Sequence, residues 1–149
     1  MSTIEAKTEA LKKSKDEEFA TACPSRVIEM ALEDLEAVEN DERYYVDMGV
    51  WHCPGTAGKC AVCYAGSVMA NRLSISPKGS YEPCDFNPAT EMRLTALNLF
   101  RSGMIQAGLH FIGPKLSMAD WRMTDYRDDP DKFKTQMHAM AAMLKSHGL

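Results

Sequence analysis

The chain lacks any apolar run near the length of about 20 residues that is needed to span a bilayer. Its beginning, MSTIEAKTEALKKSKDEEF, also lacks the apolar core of a signal peptide. No internal repeat or low-complexity tract occurs, and 45% of the 149 residues are hydrophobic and 26% charged. These absences argue against a membrane-spanning or exported protein. They predict a cytoplasmic globular protein with a core of its own.

Common catalytic motifs are also missing. The Gly-x-Ser-x-Gly, His-Glu-x-x-His and EF-hand patterns do not occur. The run GTAGKC lacks the spacing of a nucleotide-binding loop, because only two residues separate Gly55 from Gly58 and Cys60 stands where Ser or Thr is required. This run therefore predicts a turn, and no catalytic or cofactor-binding residue is assigned.

Positive charge is scarce in the first third of the chain. Residues 1–50 contain six Lys and Arg against thirteen Asp and Glu, whereas residues 51–149 contain eleven against eight. From Glu29 to Asp47 there are eight acidic residues and a single basic one, Arg43. This stretch predicts an acidic face, and direct nucleic-acid binding is not expected.

Helical periodicity predicts a mainly α, compact single-domain fold over residues 21–149, preceded by a flexible lead at residues 1–20. The pattern includes a long central loop and one or two short strands, the first within RYYVDMGVW. Residues 104–113 fit either a helix or a strand, and 117–129 resemble a short helix. Further helices are predicted from apolar spacing and end signals at residues 24–39, 60–73, 88–102 and 130–147.

The segment HCPGTAGKCAVCYAG, residues 52–66, concentrates three of the five cysteines. An odd cysteine count without an export signal favours reduced thiols. The two-residue gap between Cys60 and Cys63 would let both thiolates face one tetrahedral zinc ion. Cys53 and Cys84 complete a candidate zinc set of Cys53, Cys60, Cys63 and Cys84, with His52 as an alternative fourth ligand.

Two other interpretations of this segment stay open. A redox Cys-x-x-Cys pair opens a helix with its first thiol exposed, and Cys60 with Cys63 has that spacing. Alternatively, both cysteines pack as small apolar residues and His52 bonds a backbone group. Packing is the favoured interpretation.

Methionine is abundant, with eleven residues in the chain. Met137, Met140 and Met143 share the last predicted helix, where they fill the core or line a homodimer seam or partner groove. Together with the acidic face, they point to binding of another protein.

The block YYVDMGVWHCPGTAGKCAVCYAGSVMA resembles one in small uncharacterised proteins of bacteriophages and prophages. The shared elements are Asp47-Met48, Trp51-His52, Cys60-x-x-Cys63-x-Ala65-Gly66 and Met69-Ala70. The resemblance implies a phage-type accessory protein with no assigned activity. The main functional hypothesis is therefore a host-modulating or regulatory factor that acts by protein–protein binding. The alternatives are a zinc-stabilised binding module and a small thiol–disulfide oxidoreductase.

Overall fold

The computed structural model describes residues 16–113 and 116–149. Within them, a short helical segment at residues 16–21 is followed by five longer helices and three strands of three residues each. The helices are α1 (Pro24–Glu39), α2 (Tyr64–Asn71), α3 (Pro88–Arg101), α4 (Ile105–Ile112) and α5 (Pro130–Ser146). The strands are β1 (Tyr44–Val46), β2 (His52–Pro54) and β3 (Cys60–Val62). The predicted mainly α fold is confirmed.

Helix α1 is the central element of the core and packs against both α2 and α5. Pro24 occupies the first turn, where its missing N–H costs nothing, and the side chain of Asn40 donates to the Glu36 carbonyl at the other end. The predicted apolar stripe is buried: Val27, Ile28, Ala31, Leu32, Leu35 and Val38.

Side-chain caps define two other predicted helices. Asn87 accepts from the backbone N–H of Thr90 at 3.0 Å to begin α3, and Asp129 accepts from that of Lys132 at 3.0 Å to begin α5. Gly103 follows α3 with φ of +81°, a conformation that glycine adopts at little cost. These local signals explain why both helices agree with the sequence.

The three strands form one small sheet in the order β1-β3-β2. β3 pairs in parallel with β1 and antiparallel with β2. The helix predicted at residues 60–73 is therefore wrong at its start, since Cys60–Val62 is a strand and the helix spans Tyr64–Asn71. Antiparallel pairing with neighbouring β2 on one side and parallel pairing with β1 on the other outweigh the local helical spacing of β3.

The region after α3 resolves one open prediction and corrects another. Residues 105–112 are a helix, whereas residues 117–129 contain none, so the short helix expected there is wrong. Instead, the Trp121 N–H donates to the Gly103 carbonyl at 2.9 Å. A Cβ on Gly103 would lie 1.8 Å from the Trp121 carbonyl oxygen, so only glycine allows this approach.

The packed domain begins earlier than residue 21. Residues 16–21 are helical, and Phe19 is fully buried in the core cluster. The rest of the predicted flexible lead, residues 1–15, lies outside the described residues.

A buried carboxylate links α1 to the end of α2. Asp34 is fully buried and accepts from Asn71 Nδ2 at 2.8 Å and from Arg72 Nε at 3.0 Å. Arg72 also pairs with Glu33 at 3.0 Å. Burial raises the pKa of Asp34 to about 6, against the lowering effect of Asn71 and Arg72.

This raised pKa predicts a specific pH dependence of stability. The folded state binds the Asp34 proton more tightly than the unfolded state, so the contribution of Asp34 to the free energy of unfolding falls as pH rises from about 4 to about 6. A shift of about two pKa units corresponds to about 3 kcal/mol. Urea unfolding across this range should show the fall in the wild type and not in Asp34→Asn.

Asp41→Asn is the control, because hydrogen bonds from the Arg43 side chain lower the pKa of Asp41 and its titration falls below this window. If the stability difference between wild type and Asp34→Asn instead grew with pH, the ion pair would outweigh burial and the assignment would be wrong.

Candidate functional site

His52 is the first residue of β2 and has only 1% of its surface exposed. Its Nδ1 is 3.0 Å from the Gly79 carbonyl oxygen, and Cys60 Sγ lies 3.5 Å from Nδ1 and 3.6 Å from Nε2. Since a carbonyl only accepts, Nδ1 carries the proton that bonds Gly79, and the Cys60 thiol packs against the imidazole ring. The predicted backbone partner of His52 is thus confirmed.

This histidine–cysteine contact is a neutral pair. Burial raises the pKa of Cys60 to about 11 and lowers the pKa of His52. A nucleophilic thiolate needs the opposite shift in the cysteine pKa, together with access for a substrate. Cys60 is 1% exposed, so the contact stabilises the packing between β2, β3 and the loop at Gly79.

Cys63 has a separate role at the beginning of α2. Its Sγ accepts from the Gly66 backbone N–H at 3.3 Å, and its own N–H donates to the Trp51 carbonyl at 3.2 Å. That carbonyl oxygen lies 1.9 Å from where a Cβ on Gly66 would stand. The Cys-x-x-Gly spacing therefore allows the loop before β2 to touch the helix backbone directly.

The structure does not bring the four predicted zinc ligands together. Cys53 pairs with Ala61 across the sheet, which places it on the face opposite Cys60, and Cys84 is exposed on a short turn of 3₁₀ helix. Residues 16–113 and 116–149 contain no group of three or more His, Cys, Asp or Glu placed to hold a metal ion. The zinc set has no geometric support in these residues.

The redox interpretation is equally unsupported by the local chemistry. Cys60 and Cys63 are both buried, and burial raises the pKa of each thiol. All five cysteines are free. The packing interpretation of Cys60 and Cys63 is confirmed.

The methionine seam proposed on the last helix is corrected by burial. Met137 and Met140 are fully buried in the core, and Met143 is partly buried against it. The first two cannot line a homodimer seam while the domain is folded, because their surface is already used within the chain.

Most of the predicted acidic face is also used within the chain. Glu29 lies within hydrogen-bond distance of His138 Nδ1, Glu33 pairs with Arg26 and Arg72, and Glu39 pairs with Lys134. Asp34 and Asp41 pair with Arg72 and Arg43. Internal pairing leaves less unbalanced negative charge for a partner than the sequence count indicates.

Helix α4 offers a surface that the sequence pattern did not single out. Met104, at its N-terminal boundary, and Phe111 are each 41% exposed, and seven positions place both on one face. Residues 102–114 contain no Asp, Glu, Lys or Arg. We call Met104, Ala107 and Phe111 the α4 face. The sequence signal that could have indicated this surface is the run of 13 residues without a charged side chain in a chain that is 26% charged.

The α4 face is held rigidly from beneath. Ile105 and Leu109 are fully buried, and Gly108 lies against Phe100 of α3, where a Cβ would come within 2.5 Å of the ring.

No helix in the described part of the chain is long and apolar enough to cross a bilayer.

The contact between Gly66 and Trp51 predicts a large mutational effect. Gly66→Ala places a methyl group against a backbone carbonyl that cannot rotate away, so the free energy of unfolding should fall by at least about 2 kcal/mol. Urea unfolding monitored by circular dichroism measures the loss.

Gly58→Ala is the matched control. Gly58 has φ of +72° but no atom within 4 Å of an added Cβ, so only backbone strain of about 1 kcal/mol is expected. Equal losses in the two variants would refute the steric account.

The five cysteines should differ in reactivity. A hydrogen bond with Ser25 lowers the pKa of exposed Cys23, whereas slight desolvation and the carboxylates of Asp85 and Glu82 raise that of exposed Cys84. Timed alkylation with iodoacetamide near neutral pH, read by peptide mass spectrometry, should modify Cys23 before Cys84. Cys60 and Cys63 should react only on unfolding, and their early modification would contradict the packing described above.

Comparison of the chain with protein-family models, with curated proteins and with solved structures found no match. The resemblance of residues 44–70 to phage proteins therefore stays a prediction. Function is therefore inferred from the exposed α4 face and from the chemistry of the buried residues His52, Cys60 and Cys63.

Proposed function

We propose that this protein is a small cytoplasmic accessory factor that acts by binding another protein, with the α4 face as its contact surface. The observation that carries the proposal is the exposure of Met104 and Phe111 on one uncharged helix face. Exposed apolar side chains grouped on a rigid element are typical of protein interfaces.

The absence of charge defines the kind of partner. A charged group brought against residues 102–114 would lose water without gaining an ion pair there, which costs free energy. The fitting occupant is therefore an apolar, largely uncharged patch on another protein, with a pocket for the Phe111 ring. The phage resemblance suggests a bacterial host protein.

The sequence favours the methionines of the last helix and the acidic face as contact surfaces for another protein. We keep protein binding as the function and propose the α4 face as the contact surface instead. The methionines of α5 are buried and most acidic groups of α1 are paired. Cys60 and Cys63 are buried and their thiol pKa values are raised, so neither has the accessible thiolate that a catalytic cysteine needs. The rigid exposed α4 face is consistent with binding instead.

A matched pair of variants tests the α4 face. Phe111→Glu places a charge on this face, whereas Met92→Glu makes the same kind of change on α3, where Met92 is 40% exposed. In affinity capture from bacterial lysate, Phe111→Glu should lose at least about 90% of a specific partner, since buried aromatic anchors contribute about 2 kcal/mol or more. Met92→Glu should retain it.

Circular dichroism of both variants verifies folding, and the captured protein is then tested by titration with purified components. If wild type and Phe111→Glu retain the same proteins at the same levels, the α4 face is not the contact surface. If the wild-type protein binds none at all, the proposed function itself fails.

A further inference from the structure

A cleft of about 550 Å³ lies between the loop after β1 and the segment that leads into α5. One wall spans residues 45–49 and the other spans residues 125–127 with Pro130. This volume falls in the range of small-ligand sites, about 300–1,000 Å³. The cleft is separate from the α4 face, and none of its lining residues belongs to that helix.

Both walls are fixed to the domain. The Asp47 N–H donates to the Val62 carbonyl at 2.9 Å, which holds one wall to β3. On the other wall, the Tyr126 ring packs edge-on against Phe133 at 5.6 Å between centroids, and its hydroxyl donates to Glu39. The cleft therefore exists without a ligand to form it.

Asp47 and Asp125 place one carboxylate on each wall. In each, Oδ1 accepts a backbone N–H two residues ahead: Gly49 at 2.9 Å and Arg127 at 3.0 Å. Neither carboxylate has an ion-pair partner among residues 16–113 and 116–149, unlike the paired acidic residues of α1. Two acidic residues, each with a backbone hydrogen bond to its carboxylate, thus line a ligand-sized space, with Arg127 as the one basic residue lining it.

Two tyrosine rings line the same cleft, one from each wall. The Tyr45 hydroxyl accepts from the Thr56 N–H at 3.3 Å, and the Tyr126 hydroxyl is bound to Glu39. Neither Thr56 nor Glu39 lines the cleft, so the rings, rather than the hydroxyls, are left for a ligand. Aromatic rings attract cations through their negative faces.

We propose that this cleft binds an organic cation bearing a guanidinium or ammonium group. Asp47 and Asp125 are its charge partners, and Tyr45 and Tyr126 are the aromatic sides of the site. A guanidinium suits the arrangement best, because it is planar, donates several hydrogen bonds and stacks on aromatic rings. The same group is presented by a free amine metabolite or by an arginine side chain of a polypeptide.

Titration of the full-length ¹⁵N-labelled protein followed by NMR tests the site. Blocked arginine amide, Nα-acetyl-L-arginine amide, should produce saturable shifts of the Gly49 and Arg127 amide signals. Nα-acetyl-L-citrulline amide, which replaces the guanidinium by a neutral urea and has no other cationic group, should not. Asp47→Asn and Asp125→Asn should each weaken binding about tenfold. Glu36→Gln, an exposed α1 residue that does not line the cleft, removes one charge elsewhere and should leave binding unchanged.

A second arm distinguishes the two sources of the cation. A Gly-Arg-Gly peptide with blocked ends that binds more tightly than blocked arginine amide indicates a polypeptide source, and the reverse order indicates a free small molecule. Equal shifts with the citrulline and arginine compounds, or no localised shift at millimolar blocked arginine amide, would overturn the proposal. Binding should persist in Phe111→Glu, so this result is independent of the α4 face.

Discussion

The close contact between the Trp51 carbonyl and Gly66 organises the centre of the molecule. The carbonyl accepts from the Cys63 N–H and occupies the space that a side chain at position 66 would fill. This contact fixes the loop before β2 against the beginning of α2. The same helix begins with Tyr64, whose hydroxyl donates to the Ile28 carbonyl of α1 at 2.7 Å. The first turn of α2 therefore connects the loop before β2 to the central helix α1.

Polar side chains are treated differently in the interior and on the surface of the protein. His52 and Asp34 are buried with hydrogen-bond partners, which avoids the cost of an unpaired polar group in the core. Several exposed acids are paired, while Asp47 and Asp125 have no ion-pair partner within the part of the chain that the structure describes. Among the described residues, the surfaces that we propose for recognition are therefore an uncharged apolar face and a cleft lined by two acidic residues and two tyrosines.

The sequence predicts the elements whose ends are determined locally. Helices α1, α3 and α5 begin with proline in the first turn, and two of them carry a side-chain cap, so neighbouring residues contain the necessary information. β3 depends on its pairing with β1 and β2, which lie outside its own segment, and residues 117–129 are held by Gly103 rather than by a helix of their own. The predicted zinc set lacks geometric support in the described residues for a related reason. Cysteine spacing does not show that Cys53 and Cys60 lie on opposite faces of the pleated sheet.

The small sheet has a consequence for how this protein can meet another chain. Its outer strands, β1 and β2, are three residues long, and β2 ends in Pro54, which has no N–H to donate. Tyr81 bridges to His52 on the outer side of β2 and donates to the His52 carbonyl at 2.8 Å. An added strand would find few free backbone groups along this edge, which disfavours both recruitment by strand addition and edge-to-edge aggregation there.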